Sequence, residues 1–416
     1  MSRTNMDVKN IIDIKNKYGC QDQNQKPKTK MKKNLKIAVF PGDDIESYVK
    51  KGEIKRNYFN PNDMFSEVYI FNFSEKKELD KKLVQYMCGK AKYRIIFLGN
   101  HSEFYQAIFI KKLARQVVRE LAKLKPDCLR SFGILFNSYV AAYAAKELSI
   151  PYVISLHDHY NDTRFMARDD KEYMKYLFYI YWHMLREPFI LRNSTIVLPV
   201  YDYAKQYALE LNVPESKIEI IYNKVDTSIY RPAKDKYKKF TIINTLRQNK
   251  MKNQKTLIEA VAGIKDVELL LIGSGPLHEY LKKMANDLGC SERVKFLKSV
   301  INTELPNYYA QSHIFCSTII QGGVGIPDLE AMACGTPVIH TIYPKEPHPD
   351  VLEENAIRPK LSPQAVRQAI LKLKNDKKLY AEMVRKGLEF TRKVNYKTMS
   401  DKEEKMYNRI LRSSPK

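Results

Sequence analysis

A glycine-rich stretch at residues 321–337, QGGVGIPDLEAMACGTP, has the composition of a site for a phosphorylated ligand. Its glycines would let the backbone approach a ligand closely, and Pro327 suits the first turn of the helix that follows. The free N–H groups and the dipole at a helix N-terminus favour anions. Glu330 is expected in the first turn of that helix. Taken alone, the stretch fits a phosphate site and an ordinary turn, in which Glu330 complements the dipole, about equally.

Two cations upstream could hold a diphosphate. Arg247 ends a predicted strand, and Lys252 stands five residues later at the start of a predicted helix, in TLRQNKMKNQKTLIEA. Arginine offers phosphate a planar fork and lysine a point charge. One charge pair at about 4 Å and an effective dielectric near 20 contributes roughly 4 kcal/mol before desolvation. The alternative is a solvated basic loop, because Lys250 and Lys255 lie beside them.

A second glycine turn follows the next predicted strand, in LLLIGSGPL, where Gly273 and Gly275 precede a helix that is expected to begin at Pro276. GSGP alone is a weak signal. However, three strand ends of one sheet would then offer backbone or cations to a ligand. Together with Arg247, Lys252 and Glu330, this turn indicates nucleotide binding.

Short, continuously apolar runs that alternate with helical patterns would position these residues. The first series of predicted strands is LKIAVF, VYIFNF, RIIFLG, PDCLRSFG, YVISLH, TIVLPV and IEIIYN, the last at residues 218–223. The second series is FTIINTLR, VELLLIG, VKFLK, IFCSTII and PVIHT. Such alternation indicates parallel sheets covered on both faces, and hence two doubly wound α/β domains. A ligand is expected in the crevice between them, at the C-terminal ends of the strands.

Four segments are expected along the chain. Residues 1–34 are rich in lysine and amides and predict a flexible basic tail. Residues 35–235 would form the first domain, and residues 236–378 the second, which contains the predicted nucleotide-binding residues. Residues 379–416 are helical and charged, and we expect these helices to reach back to the first domain.

Composition narrows the class of partner. The 416 residues carry 71 Lys and Arg against 47 Asp and Glu, a net charge of +24. This excess favours phosphorylated substrates, an anionic membrane surface or nucleic acid, and the absence of a recognisable nucleic-acid module argues against the last. Six scattered cysteines without a CxxC pair indicate neither a zinc site nor a disulfide framework. Together with the lack of an apolar run of about 18 residues, they predict a cytoplasmic protein.

One aromatic segment allows two interpretations. The helix predicted over residues 169–192 contains YLFYIYWHML, with the only tryptophan, Trp182, near Lys175 and Arg186. Aromatic and basic side chains together suit peripheral contact with an anionic membrane at its inner face and a lipid-linked ligand. A buried helix between sheet and cleft explains the same residues and is favoured.

The sequence resembles the retaining GT-B glycosyltransferases of family four. Residues 241–341 resemble their donor-binding domain through IGSGP, RVKFLKSV, ELPNYYAQS and EAMACGTPV. The resemblance continues through PYVISLHDHY, IIYNKVD and IYRP, so it extends from residue 35 to about residue 392. It implies two Rossmann-like domains facing across a cleft. It also implies retaining transfer of a sugar from a UDP- or GDP-sugar to a hydroxyl of a glycan or lipid-linked acceptor.

The resemblance assigns roles on the donor side. Arg247 and Lys252 would bind the diphosphate, Glu330 would hold the ribose hydroxyls, and the backbone near Phe296 would face the base. The chain contains no Asp-x-Asp sequence, so no metal cofactor is expected, and the two cations would take the electrostatic role of a metal. The remaining donor-binding residues expected from the glycine turns and the resemblance are Gly42, Gly273, Gly275, Leu297, Gly322 and Gly323.

On the catalytic side, His157 would contact the transferred sugar and Asp158 would help orient it. A core histidine satisfied by backbone is the alternative, and the strand-end position of His157 favours the functional role. The family usually carries two glutamates separated by seven residues, but the position eight before Glu330 is Gly322. Gln321 is the nearest polar residue and could reach the sugar hydroxyls. A catalytically impaired accessory protein that binds sugar nucleotides therefore stays open as an alternative.

Overall fold

The computed structural model describes residues 34–51, 54–99, 103–161, 181, 184–300, 303–320, 323–342 and 352–413. The predicted basic tail lies outside these ranges apart from its last residue. Most of the aromatic helix predicted over residues 169–192, including Trp182, also lies outside them. Within the described ranges, no helix is long and apolar enough to cross a membrane.

The first sheet has six parallel strands in the order β3-β2-β1-β4-β5-β6. The chain reverses direction across the sheet between β1 and β4, which is the switch point of a doubly wound domain. The strands are β1 (Lys36–Phe40), β2 (Glu67–Asn72), β3 (Lys92–Phe97), β4 (Cys128–Phe132), β5 (Tyr152–Leu156) and β6 (Ile196–Pro199). The helices are α1 (Ile45–Lys51), α2 (Lys81–Cys88), α3 (Glu103–Leu124), α4 (Phe136–Leu148), α5 (Glu187–Arg192) and α6 (Asp202–Glu210).

The second sheet has five parallel strands in the order β11-β10-β7-β8-β9, with its switch point between β7 and β10. The strands are β7 (Phe240–Asn244), β8 (Val267–Ile272), β9 (Val294–Leu297), β10 (Ile314–Ser317) and β11 (Val338–His340). The helices are α7 (Gln254–Ala262), α8 (His278–Asp287), α9 (Leu305–Gln311), α10 (Ile326–Ala333), α11 (Leu352–Asn355), α12 (Pro363–Asn375), α13 (Lys377–Lys393) and α14 (Tyr396–Ser413). The two sheets confirm the predicted α/β class with two doubly wound domains.

Most strands are buried on both faces, which explains their continuously apolar sequences, whereas the edge strand β3 is only partly buried. One apolar cluster belongs to the first domain and one to the second. A third cluster joins Val39 of β1, Ile243 of β7 and Met399 of α14, so apolar packing connects both sheets and the C-terminal helix. We propose a domain boundary between residues 235 and 236, in the segment that links the sheets.

The expected strand at residues 218–223 is wrong. Ile218 makes only an isolated bridge with Val197 of β6. The N–H of Ile221 donates to the carbonyl oxygen of Pro199 at 3.0 Å, but this pairing at the sheet edge is too brief to form a strand. The side chain of Tyr222 bonds instead to Asp202 at 2.8 Å. The run is apolar because the link between the sheets packs against the protein here. The sequence pattern does not distinguish such a packed link from a strand.

Candidate functional site

The two domains meet at the C-terminal ends of their strands. His157 and Asp158 follow β5, and we call them the 157–158 turn. Across the cleft, residues 323–325, here called the glycine loop, precede α10. Gly323 has φ +93°, and a Cβ placed on it would lie 2.4 Å from Cε2 of Tyr201, which follows β6. The second domain therefore contacts the first at a position that only glycine fits.

His157 has one ring nitrogen without a hydrogen bond within the described ranges. Its ring stacks on Phe132, with 6.1 Å between centroids, and its buried Nε2 makes no hydrogen bond to any described residue. Burial lowers the pKa of His157 to about 4, assisted by the cations Lys55 and Arg130. The ring is thus neutral at physiological pH and can exchange a hydrogen bond with a sugar hydroxyl. This arrangement differs from a core histidine satisfied by backbone.

Asp158 is held by two donors. Its Oδ1 accepts the N–H of His159 at 2.8 Å and the hydroxyl of Tyr201 at 3.3 Å. Tyr201 also lies 3.1 Å from the carbonyl oxygen of His157. Across the cleft, the carboxylate of Asp158 acts on Lys252, whose pKa it raises against the opposing effect of burial. The structure therefore brings the 157–158 turn to the same cleft as a predicted diphosphate ligand.

Lys252 ends a 3-10 turn, Lys250–Lys252, whose cap is the side chain of Asn249, which accepts the N–H of Lys252 at 3.0 Å. The ammonium is half-buried, and burial lowers its pKa, while Asp158 and Asp328 partly offset this effect. No carboxylate within the described ranges lies at ion-pair distance. A half-buried cation without a counter-ion favours an anionic ligand.

Arg247 lies in the same loop as Lys252 and is exposed. The strand expected to run to Arg247 ends three residues earlier, at Asn244 of β7, because the loop turns there to pack on the next strand end. Gln254 of α7 binds the carbonyl oxygens of Leu246 and Arg247, each at 3.1 Å. The loop backbone is thereby fixed while the guanidinium stays in solvent.

The GSGP turn packs directly on this loop. Gly273 has φ +139°, and a Cβ there would lie 2.6 Å from the carbonyl oxygen of Leu246. A Cβ on Gly275 would lie 2.2 Å from the carbonyl oxygen of Gln248. Both glycines are therefore required by close packing of the two loops, whatever ligand the site binds. Together they place the 246–248 backbone beside the end of β8.

The end of β9 joins the same group of loops. The carbonyl oxygen of Leu297 accepts the N–H of Gly273 at 2.8 Å. The ring of Phe296 meets His278 edge to face at 5.7 Å, and His278 in turn bonds to Gln248 at 2.6 Å. Phe296 and Leu297 thus lie next to the GSGP turn, as a base-binding edge requires.

Glu330 lies in the second turn of α10, so its expected place in the first turn is wrong. The helix begins at Ile326 because Gly325 is the extended N-cap and Pro327 occupies the second position. Burial raises the pKa of Glu330, and hydrogen bonds from Tyr230 and Tyr309 oppose the rise. The hydroxyl of Tyr309 donates to Oε2 at 3.0 Å. The carboxylate is held rigidly by tyrosines rather than by the helix dipole.

The acidic residue in the first turn is Asp328, which the sequence analysis did not single out. Its Oδ2 accepts the N–H of Gly325 at 2.8 Å, and its Oδ1 bonds to Nδ1 of His340 at 2.9 Å. Both side chains are buried. The Asp328–His340 pair thus holds the glycine loop in place through the N–H of Gly325. Two features of the sequence could have identified this pair. They are the capping-box spacing from Gly325 to Asp328 and the histidine within the apolar strand PVIHT.

Gly42 lies in the exposed turn after β1, and a further unpredicted residue holds that turn. Nδ2 of Asn137 in α4 lies within hydrogen-bond distance of three carbonyl oxygens, those of Phe40, Pro41 and Phe132. Gln321 and Gly322 fall outside the described residues. In the described part of the chain, no group of three His, Cys, Asp or Glu residues is placed to hold a metal ion.

Two family models match the chain in succession. The model described as Glycosyltransferase Family 4 matches residues 67–229. The model described as Glycosyl transferases group 1 matches residues 226–390. The junction falls in the link between the two sheets, so each model corresponds to one domain.

Several of the curated relatives are named as mannosyltransferases. One is the GDP-mannose-dependent alpha-(1-6)-phosphatidylinositol monomannoside mannosyltransferase of Mycolicibacterium smegmatis, 32% identical over 168 residues, which are 35% of this chain and 44% of the relative. Another is the O-antigen chain mannosyltransferase RfbU of Salmonella typhimurium, 28% identical over 170 residues, 40% of this chain and 47% of the relative. The chain thus spans about half the length of the curated relatives it matches.

Solved structures show the fold over nearly the whole chain. Anabaena HepE in complex with UDP superposes with a TM-score of 0.68 and 17% identity, over 90% of this chain and 100% of HepE. Sucrose-phosphate synthase of Thermosynechococcus elongatus gives a TM-score of 0.69 and 15% identity, over 92% and 100%. Because the two family models together cover residues 67–390 and the chain contains two doubly wound domains, the chain belongs to the group 1, family-four glycosyltransferases of the GT-B fold.

Proposed function

We propose that the chain transfers a sugar, with retention, from a UDP- or GDP-sugar to a hydroxyl of a glycan or lipid-linked acceptor. The observation that carries the proposal is the half-buried Lys252. Its charge lies at the cleft, beside a glycine turn, and no carboxylate of the described chain pairs with it. A donor diphosphate supplies the missing negative charge.

Sugar transfer at this site requires stabilisation of the leaving nucleoside diphosphate. Arg247 and Lys252 bind its oxygens, and their attraction strengthens as the bond between the sugar C1 and the phosphate oxygen breaks. A leaving phosphate oxygen takes the proton of the acceptor hydroxyl, whose oxygen forms the new bond to C1 on the same face. The neutral His157 contacts the sugar, and Asp158 orients it. No metal is required in this scheme.

The relatives suggest which substrates to test first. The Mycolicibacterium smegmatis enzyme is named for GDP-mannose and a phosphatidylinositol mannoside, and the Salmonella typhimurium enzyme for an O-antigen chain. We therefore place GDP-mannose first among donors, and lipid-linked glycans first among acceptors. UDP-sugars stay as the second donor class.

A thermal-shift panel with UDP, GDP, ADP and their sugar conjugates tests the donor. One diphosphate is expected to stabilise the protein without added metal, by about 2.7 kcal/mol at a hundred times its dissociation constant. Magnesium is expected to change this little. Absence of a shift with every nucleotide, with and without magnesium, would contradict the proposal. Binding without sugar transfer or hydrolysis would instead favour the accessory protein.

Peripheral membrane contact is the second part of the proposal, with the protein on the cytoplasmic face. The exposed side of α3 carries Ile108 and Phe109, which are 50% and 45% exposed. Lys111, Lys112 and Arg115 are exposed on the following turns. Ile108, Lys111, Lys112 and Arg115 share one helical face. Apolar side chains beside several cations suit an anionic lipid surface.

Replacing Ile108 and Phe109 together by serine is expected to lower binding to vesicles containing phosphatidylglycerol about tenfold, because two apolar side chains no longer enter the lipid. Cosedimentation with vesicles measures this change. Tyr280→Ser is the matched control, since Tyr280 is 49% exposed but lies in the second domain. Equal binding of all three proteins, or equal binding to neutral phosphatidylcholine, would rule out this surface.

A further inference from the structure

Tyr201 occupies a helix position that tyrosine does not suit. It is the N-cap of α6, with extended backbone, and its side chain makes no capping hydrogen bond. Serine, threonine, aspartate and asparagine are preferred at this position, and losing such a cap costs about 1 kcal/mol. Residues that break a local rule are concentrated at functional sites. A second role for Tyr201, besides capping the helix, is therefore expected.

The side chain of Tyr201 contacts both sides of the cleft. Its hydroxyl lies 3.1 Å from the carbonyl oxygen of His157 and 3.3 Å from Oδ1 of Asp158. Its ring lies against the glycine loop so closely that Gly323 has no room for a Cβ. The residue is only 5% exposed. One buried side chain thus connects the 157–158 turn of the first domain to the glycine loop of the second.

We propose that Tyr201 is a positioning residue that couples these two groups during sugar transfer. The inference rests on the proposed function and adds a residue to it. The ring sets the distance between the glycine loop and the 157–158 turn, and the hydroxyl fixes the orientation of Asp158. A donor seated on the glycine loop therefore meets His157 and Asp158 in one arrangement. Tyr201 itself does not contact the reacting atoms.

The hydroxyl also limits where the carboxylate of Asp158 can turn. Asp158 interacts electrostatically with Lys252 across the cleft. Without the hydroxyl, Asp158 loses one of the donors that orient its carboxylate and gains rotational freedom. Misplacement of groups that act on the sugar lowers the rate of the chemical step more than the affinity for the nucleotide.

Tyr201→Phe removes one oxygen and keeps the ring, so the fold is retained. We expect kcat for sugar release from the donor identified in the thermal-shift panel to fall ten- to a hundredfold. Donor KM and the affinity for the nucleoside diphosphate should change less than twofold. This split between kcat and KM is the readout that a merely structural role would not produce.

Tyr207→Phe is the matched control. Tyr207 lies in α6, is fully buried, and donates its hydroxyl to Glu187 at 2.5 Å rather than to the 157–158 turn. Its ring meets His159 at 5.4 Å, a contact that phenylalanine keeps. Both variants lose a buried hydroxyl, and Tyr207→Phe should lose more stability because it removes a donor from the buried Glu187, but only Tyr201→Phe should lose kcat. Equal losses of kcat in the two variants, or none in Tyr201→Phe, would overturn the inference.

Gly323→Ala tests the other half of the contact. The added methyl displaces the ring, so kcat should fall as in Tyr201→Phe, and combining the two changes should add less than a twofold loss. Full additivity would contradict the coupling. If the wild-type protein binds no nucleotide, the proposed function fails. If nucleotide binding is intact and Tyr201→Phe keeps its kcat, only the positioning role fails.

Discussion

Replacing Lys252 by methionine is expected to lower kcat/KM on the order of 10²- to 10³-fold. A charge pair at about 4 Å and an effective dielectric near 20 contributes roughly 4 kcal/mol, which corresponds to about 10³ in rate. Partial exposure of the ammonium to solvent reduces this figure. Diphosphate affinity should fall in parallel, which thermal shift or calorimetry measures.

The stability of this variant separates binding from folding. Burial lowers the pKa of Lys252, so its charged form is disfavoured in the folded protein. Methionine removes that cost, and the melting temperature without ligand should stay constant or rise. The control is Lys255→Met, because Lys255 is 53% exposed and already pairs with Glu259 at 3.9 Å. A melting temperature that falls in Lys252→Met, or equal activity losses in the two variants, would refute the diphosphate role.

The sheets could be predicted from sequence because most of their strands are buried on both faces. In the run LKIAVF, every residue except Lys36 belongs to an apolar cluster, so the sequence of β1 reflects its buried environment. The same rule failed at residues 218–223, where apolar side chains pack beside the edge of β6 without continuing the ladder. An apolar run indicates that the segment is buried, but burial alone does not show that the segment pairs as a strand.

The glycines helped to locate the loops of the site, but packing within the protein requires them as well as any approach of a ligand. Gly273 and Gly275 mark the loop cluster correctly, but the carbonyl oxygens of Leu246 and Gln248 already exclude a side chain there. Gly323 is required by Tyr201, which lies 122 positions earlier (323 − 201). A contact of that separation has no periodic signature in the chain. Tertiary packing therefore decides it, and only the structure reveals it.

Site residues whose role depends on a hydrogen-bonded partner elsewhere in the chain were likewise not predicted. Asp328 and His340 each look ordinary in the sequence, and their buried hydrogen bond becomes visible only when β11 is placed beside α10. The strand-end position of His157, in contrast, could be predicted because the residue directly follows a recognisable strand. Local position at a strand end is thus readable from sequence, while the partner of a side chain is not.

A buried charge cluster attaches the C-terminal helix α14 to the first sheet. Oε1 of Glu403 lies 2.9 Å from Nη2 of Arg130 in β4, and Oε2 lies 2.6 Å from Nζ of Lys224. Arg130 also donates to Tyr407 of α14 at 3.3 Å. Arg130 and Glu403 are both buried. The helix is therefore held by charges that water does not screen.

Glu403→Ala is expected to destabilise the protein by about 3–5 kcal/mol, because it leaves the buried Arg130 and the half-buried Lys224 without their carboxylate. The shift of the urea midpoint at constant slope measures this loss. The control is Glu404→Ala, one residue along, whose carboxylate bonds to Asn62 at the surface. That change should stay within about 0.5 kcal/mol. Equal effects of the two substitutions would contradict the proposed attachment.

The pH dependence of this difference provides a second test. Burial opposes ionisation of Glu403, yet Arg130 and Lys224 hold its pKa at about 2, below its ordinary 4.5. A lowered carboxyl pKa contributes stability that is fully present above the unfolded pKa and is lost as the pH falls through the folded pKa. The gap between wild type and Glu403→Ala should thus be constant from about pH 6 to 8 and shrink between about pH 4 and 2. A gap that persists unchanged at pH 2 would show that Glu403 acts through packing rather than charge.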